Sequence, residues 1–286
     1  MRILFYLSFI SVGNAQLLKW PLFPFFQCGI RFFLLDFDVS NSDDYDKYFN
    51  DDSVMQLAQA GSYQGADSIK EYVKYLGADA SPVFDIQKIL EVENVWLGYD
   101  RENDQCQFLA KYYTQGRLNS SATGSDFEYH NVVFIKLYFS FFERKISRLN
   151  VFYYENFLDK LFHESVSDVS RDAICETANS VCSGIINPIS NCTDELADLE
   201  VLTEGYLDGN SQGCRLLHSV MAQENPEVHC AHIAINATVD PFGKIKCQQS
   251  SFTPTSDLFT DEEFKLFDEF ANLYDIDPAI GYIEIN

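Results

Sequence analysis

The stretch Phe84-Asp85-Ile86-Gln87-Lys88-Ile89-Leu90-Glu91-Val92-Glu93 sets Phe84, Ile86, Leu90 and Val92 against Asp85, Gln87, Glu91 and Glu93. An apolar-polar period of two belongs to a strand with one face buried, because successive Cβ atoms point to opposite sides of a sheet. Downstream, Val95–Tyr99 predicts a second strand, Asp100–Asp104 a turn, and Cys106–Thr114 a third strand. His130–Phe141 and Ile146–Tyr154 predict another hairpin around Phe142-Glu143-Arg144-Lys145. Upstream the period becomes helical: Phe25, Phe26, Ile30, Phe33, Leu34 and Phe37 mark a first helix, and Tyr45, Tyr48 and Phe49 a short second one. Ser53–Leu57 then predicts a strand and Gly61–Gly65 a turn. Ser68-Ile69-Lys70-Glu71 predicts the capping box of a helix presenting Ile69, Val73 and Leu76. The order argues an α+β layer fold, a curved antiparallel sheet wrapped over a few helices.

The runs Tyr48-Phe49-Asn50-Asp51-Asp52-Ser53-Val54, Gly61 to Gly65 with Ile69 and Tyr72, Tyr129-His130-Asn131-Val132, and Lys145-Ile146 leading to Phe152-Tyr153-Tyr154 occur in that order. In this arrangement residues 28–160 resemble the nuclear transport factor 2-like, or SnoaL-like, superfamily. The resemblance implies a cone, a bent sheet closed by helices, with a pocket inside. That superfamily holds isomerases, cyclases, epoxide hydrolases, dehydratases and binding modules without catalysis, so the fold alone selects no reaction. The resemblance places Leu57 where the steroid isomerases carry their carboxylate base, and Phe33 near their oxyanion-binding tyrosine. Neither side chain accepts a proton or holds an oxyanion, so that isomerisation is not expected.

His130 is the candidate catalytic residue, since imidazole is the usual general base. Strand alternation argues against it: Asn131, Val133, Ile135, Leu137, Phe139 and Phe141 form the more apolar face, leaving His130 and Lys136 pointing outward. Tyr48, Tyr63, Tyr112 and Tyr153 are candidate pocket donors, although core packing accounts for them equally well in a chain with 16 Tyr and 25 Phe. No Ser-His-Asp spacing is present.

The address is a separate question. Met1-Arg2 precedes the apolar run Ile3–Val12 and Gly13-Asn14-Ala15, which predicts a signal peptide over residues 1–15. The formal charge is −23, or −24 without Arg2 (−23 − 1), which disfavours nucleic acid and anionic membranes as partners. No later run is long and uncharged enough to span a bilayer. Sequons at Asn119, Asn191 and Asn236 suit a secreted, glycosylated protein.

The second half is rich in turns and cysteine. Cys175, Cys182, Cys192, Cys214, Cys230 and Cys247 predict three disulfides with open pairing. Cys28 and Cys106 either pair with each other or stay reduced. Cys214, His218, His229 and His232 have zinc-like residue types, but their order is unusual and exported cysteines more often form bridges. Asp208-Gly209-Asn210-Ser211-Gln212-Gly213 begins like a calcium loop, yet the twelfth place is Ser219, so a turn before a helix is preferred. Thr260-Asp261-Glu262-Glu263 with Phe264, Phe267, Phe270 and Leu273 predicts a C-terminal helix. The Asp275–Ile283 run after it departs from a calcium loop in the places of its Gly and Pro.

The expectation is therefore a signal peptide over 1–15, a SnoaL-like cone over 16–165 and a cysteine-rich module over 166–286. The cone would bind a small apolar molecule or an extracellular partner. The competing reading is a cyclase, isomerase or dehydratase with a non-standard pocket. No cofactor and no metal are assigned, and dimerisation is left open.

Overall fold

The computed structural model describes Cys28 and residues 45–76, 84–100, 104–118, 123–125, 127–140, 145–153, 157–203, 207, 209–236, 239–241, 243, 245–248 and 258–259. The predicted signal peptide, Phe33, Asn119, Asp208 and the C-terminal helix lie outside these residues; of the predicted first helix only Cys28, which is helical, lies within them.

The chain is an α+β structure. After a short helix α1 (Tyr45–Tyr48) come strands β1 (Val54–Leu57) and β2 (Gly61–Gln64) and helix α2 (Ala66–Leu76). The long strands β3 (Phe84–Asp100), β4 (Gln105–Leu118), β5 (Glu128–Ser140) and β6 (Ile146–Tyr153) follow. Helices α3 (Phe157–Ser165), α4 (Asp168–Asn179), α5 (Cys192–Ala197), α6 (Gln212–Met221) and α7 (Pro226–Ile233) make up the second half. The strands form one six-stranded sheet in the order β2-β1-β6-β5-β4-β3.

Four expectations are corrected. The sheet is mixed, because β1 runs parallel to β6, with Leu57 opposite Val151. Gly61–Gln64 is a strand rather than a turn: Gly61 and Tyr63 point inward while Ser62 and Gln64 are exposed, a period of two hidden among turn-type residues. The turn falls at Ala58–Ala60, closed by Ala60 N–H on the Leu57 carbonyl. Third, the two strands expected at Phe84–Val92 and Val95–Tyr99 are one. Between Glu93 and Trp96 the register against β4 slips by a residue, and two further slips precede it. A bulge of this kind shifts the alternation without ending the strand, and it bends the sheet. Fourth, α2 starts at Ala66 rather than at Ser68, because Gly65, at φ +87°, turns the chain sharply out of β2 and its carbonyl accepts from Ile69 N–H. Its buried residues are Ile69, Tyr72 and Tyr75, with Val73 half-buried against the core.

On the inner face of the sheet Val133, Ile135, Leu137, Leu149 and Val151 pack with Met55, Leu57, Phe108 and the residues of α1 and α2. The same buried cluster continues through Leu161 and Phe162 of α3 to Leu196, Leu216, Leu217 and Ile233. The outer face is buried too. Leu258 and Phe259 cover Val132, Phe134 and Phe152, and Asn150 Nδ2 donates to the Leu258 carbonyl at 3.0 Å. Lys136 lies in this outer register and is buried rather than in water, its ammonium 5.2 Å from the centre of the Tyr138 ring.

All eight cysteines are paired. Cys28–Cys106 ties the helical residue Cys28 to β4, Cys175–Cys192 joins α4 to α5, Cys182–Cys230 joins the turn after α4 to α7, and Cys214–Cys247 joins α6 to the segment after α7. Among the described residues no helix is long and apolar enough to cross a membrane.

Helix α6 is seated tightly. Ser211 caps it by accepting from Cys214 N–H, and Gly213 N–H donates to the Val201 carbonyl at 2.9 Å. A Cβ on Gly213 would lie 2.7 Å from both Leu202 Cδ2 and Phe162 Cδ1, and 3.0 Å from the Val201 oxygen. Glycine inside a helix normally costs up to ~1 kcal/mol relative to alanine. Here overpacking, worth ~1–3 kcal/mol, opposes that gain, and neither the buried Phe162 nor a backbone carbonyl can give way cheaply. Gly213→Ala is therefore expected to lower the urea midpoint, by a net ~1–2 kcal/mol.

Candidate functional site

Three histidines of the second half meet on the cone helix α2. His218 lies one turn after Cys214 on α6. Pro226 opens α7, its fixed φ suited to a first helical position, and the i, i+3 spacing puts His229 and His232 on one face. The helix pair α6–α7 docks against α2 through Lys74 Nζ on Glu224 Oε1 (2.5 Å), through the Tyr72 ring set edge-on to His218, and through Glu71.

The nitrogen positions are specific. His218 Nδ1 lies 2.9 Å from His229 Nδ1 and 3.3 Å from His232 Nδ1. On the far side of the first ring, His229 Nε2 donates to Glu71 Oε1 at 2.8 Å. His232 Nε2 sits 3.3 Å from Asp240 Oδ2 but off the line of its N–H, so this contact is electrostatic more than a formed hydrogen bond. The three rings are 1–2% exposed. Burial, then the neighbouring His232, His229, Lys246 and Arg215, holds His218 well below the ordinary histidine range. Burial and the charges of His229 and Lys246 bring His232 to about 4, against an opposing pull from Asp240. Both rings are neutral at pH 7.

A second layer joins this cluster to the buried core beneath the sheet. Tyr63 and Tyr72 lie with ring centroids 3.7 Å apart, and Lys246 Nζ sits 4.5 and 4.9 Å from the two centroids while donating to Tyr72 Oη at 3.1 Å. The Tyr63 hydroxyl donates to the Ala60 carbonyl. Beside the cluster, Arg215 is fully buried and donates to the Ser211, Ala234 and Cys247 carbonyls and to Asn210 Oδ1.

The residues singled out in the sequence are thus scattered. Tyr48 is buried in the main core; Tyr153 packs against Phe157, and burial raises its hydroxyl to about 12. Tyr112 and His130 are placed by backbone register alone, opposite Val133 and Gln115. Asn191 and Asn236 are exposed. Cys214 is bonded to Cys247 and has no thiolate to offer a metal. Asn210 Oδ1 accepts from Arg215 within a turn ahead of α6. His218, His229 and His232 do come together. Glu71, Asp240, Tyr72 and Lys246 complete the arrangement; no spacing announces them, because they arrive from three separate segments.

Residues 154–240 match the model of the BfoA family C-terminal domain. No curated protein matches the chain. Similar solved structures include a putative SnoaL-like polyketide cyclase from Jannaschia sp. CCS1 (12% identity, 54% of this chain and 99% of that one, TM-score 0.36). Another so described, from Mesorhizobium loti, has 14% identity over 44% of this chain and 94% of that one, with a TM-score of 0.32. A de novo designed protein with a curved β-sheet has 11% identity over 48% and 95%, with a TM-score of 0.30.

Proposed function

We propose that the chain is an exported SnoaL-like binding protein whose cone, over residues 16–165, takes up a small apolar molecule, and whose module over 166–286 holds that cone closed on one side. The observation that carries this reading is Leu57. At the place the family resemblance gives to an isomerase base, its side chain is 2% exposed and packed with Met55, Leu149 and Val151. An apolar residue in an apolar wall has affinity for a hydrocarbon surface and none for a proton. Four disulfides, the apolar run at Ile3–Val12 and the acidic charge support the exported address.

The test is native mass spectrometry of the purified chain after exposure to an extract of apolar metabolites, paired with an assay of model-enone isomerisation. One apolar molecule is expected to stay bound, equally in the chain and in His130→Ala, while the enone reacts at the buffer rate in both. A positioned base contributes ~10²–10⁴-fold, so catalysis would be plain. Isomerisation well above buffer that disappears in His130→Ala would establish the cyclase or isomerase reading instead. Failure to retain any molecule, with no turnover, would remove the binding reading.

A further inference from the structure

We propose that His218, His229 and His232 form a three-imidazole site for one divalent transition metal ion of the zinc class, each ligating through Nδ1, with Glu71 and Asp240 orienting the rings from behind.

A neutral imidazole carries one N–H and one lone pair. Glu71 Oε1 can only accept, so its 2.8 Å contact keeps the His229 proton on Nε2 and leaves a lone pair on Nδ1. The charge of Asp240, 3.3 Å from His232 Nε2, favours the same tautomer there. His218 then has at most one Nδ1–H to share between two Nδ1 lone pairs, at 2.9 and 3.3 Å. One proton cannot fully satisfy both lone pairs in this buried space. A metal ion does so directly, since three lone pairs converging on one centre are what a cation requires.

The dimensions agree. Zinc bound to imidazole at ~2.0–2.1 Å in a tetrahedral array separates its ligand nitrogens by about 3.3–3.4 Å. One observed separation matches, and the other requires a shift of a few tenths of an ångström. One ligating atom from each ring lies within 4.8 Å of the other two. The ligand–carboxylate pairs reproduce the arrangement by which protein sites raise imidazole basicity and hold ring orientation. Imidazole donors select zinc, copper, nickel or cobalt over calcium and magnesium. Because the ligands come from α6 and α7 while Glu71 belongs to α2, the ion would also pin the second half to the cone.

The experiment uses the untagged, disulfide-intact chain, stripped with a chelator and titrated with zinc sulfate by calorimetry and with cobalt(II) by visible absorption. One equivalent of zinc is expected, along with the intense d–d bands of four-coordinate cobalt and no competition from a hundredfold excess of calcium or magnesium. His229→Asn should weaken zinc binding at least 100-fold. Glu71→Gln, which removes no ligand, should weaken it ~10–100-fold with an unchanged far-ultraviolet spectrum. Should His229→Asn fail to fold, the unaltered chain and Glu71→Gln decide. Absence of stoichiometric zinc binding by the unaltered chain, octahedral cobalt bands, or an affinity untouched by both substitutions would each overturn the proposal.

Discussion

Arg215→Ala is expected to lower the unfolding free energy by about 3–5 kcal/mol, read as a shift of the guanidinium or urea midpoint with the disulfides intact. Arg215 is among the largest fully buried side chains, and its guanidinium binds three backbone carbonyls, those of Ser211 at the cap of α6, Ala234 just past α7 and Cys247. Burial brings its pKa to about 10, still well above neutrality, so the group is a cation held mainly by carbonyl dipoles. Truncation recovers the desolvation cost of that cation, roughly 3 kcal/mol. It also takes a donor from three buried carbonyls, of which that of Ala234 keeps Gln248 Nε2 at 3.2 Å, at ~1–3 kcal/mol wherever no donor replaces it, and it leaves a cavity; together these losses outweigh the gain. Arg215→Met refills the volume without the hydrogen bonds, so it should recover about half of the loss. A methionine variant as stable as the parent would mean that water or a shift of backbone satisfies those carbonyls.

The second large effect concerns the bridge between Cys182 and Cys230. It closes a loop with a sequence separation of 48, for which the chain-entropy account gives about 4 kcal/mol of stabilisation. Replacing both cysteines by alanine should therefore lower the unfolding free energy by that order. Replacing the pair Cys175 and Cys192, separated by 17 residues, should cost about 3 kcal/mol. In the parent chain a thiol titration under denaturing, non-reducing conditions should find none of the eight cysteines free. Two or more free thiols, or equal stability of the Cys182/Cys230 double variant, would contradict the bridge.

What could be read from the amino acids alone depended on how local the determining physics was. The inner face of β5 follows directly from alternation, so Val133, Ile135 and Leu137 are inward as expected. β3 was misdivided because bulges move the phase of alternation, and a bulge depends on the partner strand, here Lys111 to Leu109 of β4. β2 was missed because its four residues are glycine, serine, tyrosine and glutamine, and only pairing with β1 makes them a strand. The outer face of β5 is not legible as buried, since Leu258 and Phe259 arrive from more than a hundred residues away to cover Val132 and Phe134, and Lys136 in the same register is buried as well. The histidines were visible as residue types. Their grouping with Cys214 was not sustained, because whether that sulfur is a ligand or half of a bridge depends on where Cys247 lies. Glu71 could not have been found by spacing, since only the docking of α7 on α2 brings it within reach of His229.

The order of the cysteines along the chain turns the pairing into a matter of timing. Cys28 and Cys106 are consecutive, so the first bridge can close without a wrong choice. Cys182, by contrast, stands between Cys175 and Cys192, and its own partner follows a further 48 residues on. At ordinary synthesis speeds of ~5–20 residues per second, Cys182 waits roughly 2–10 s for Cys230. During that wait its nearest oxidisable neighbour is the wrong one, Cys175. Correct oxidation then requires α4 and α5 to dock before Cys175 is captured, or a thiol-disulfide exchange step that releases it afterwards. Residues 175–230 are thus the part of the chain whose yield should respond most to the redox buffer and to the presence of an isomerase, while the bridge from Cys28 to β4 should form alike under all of them.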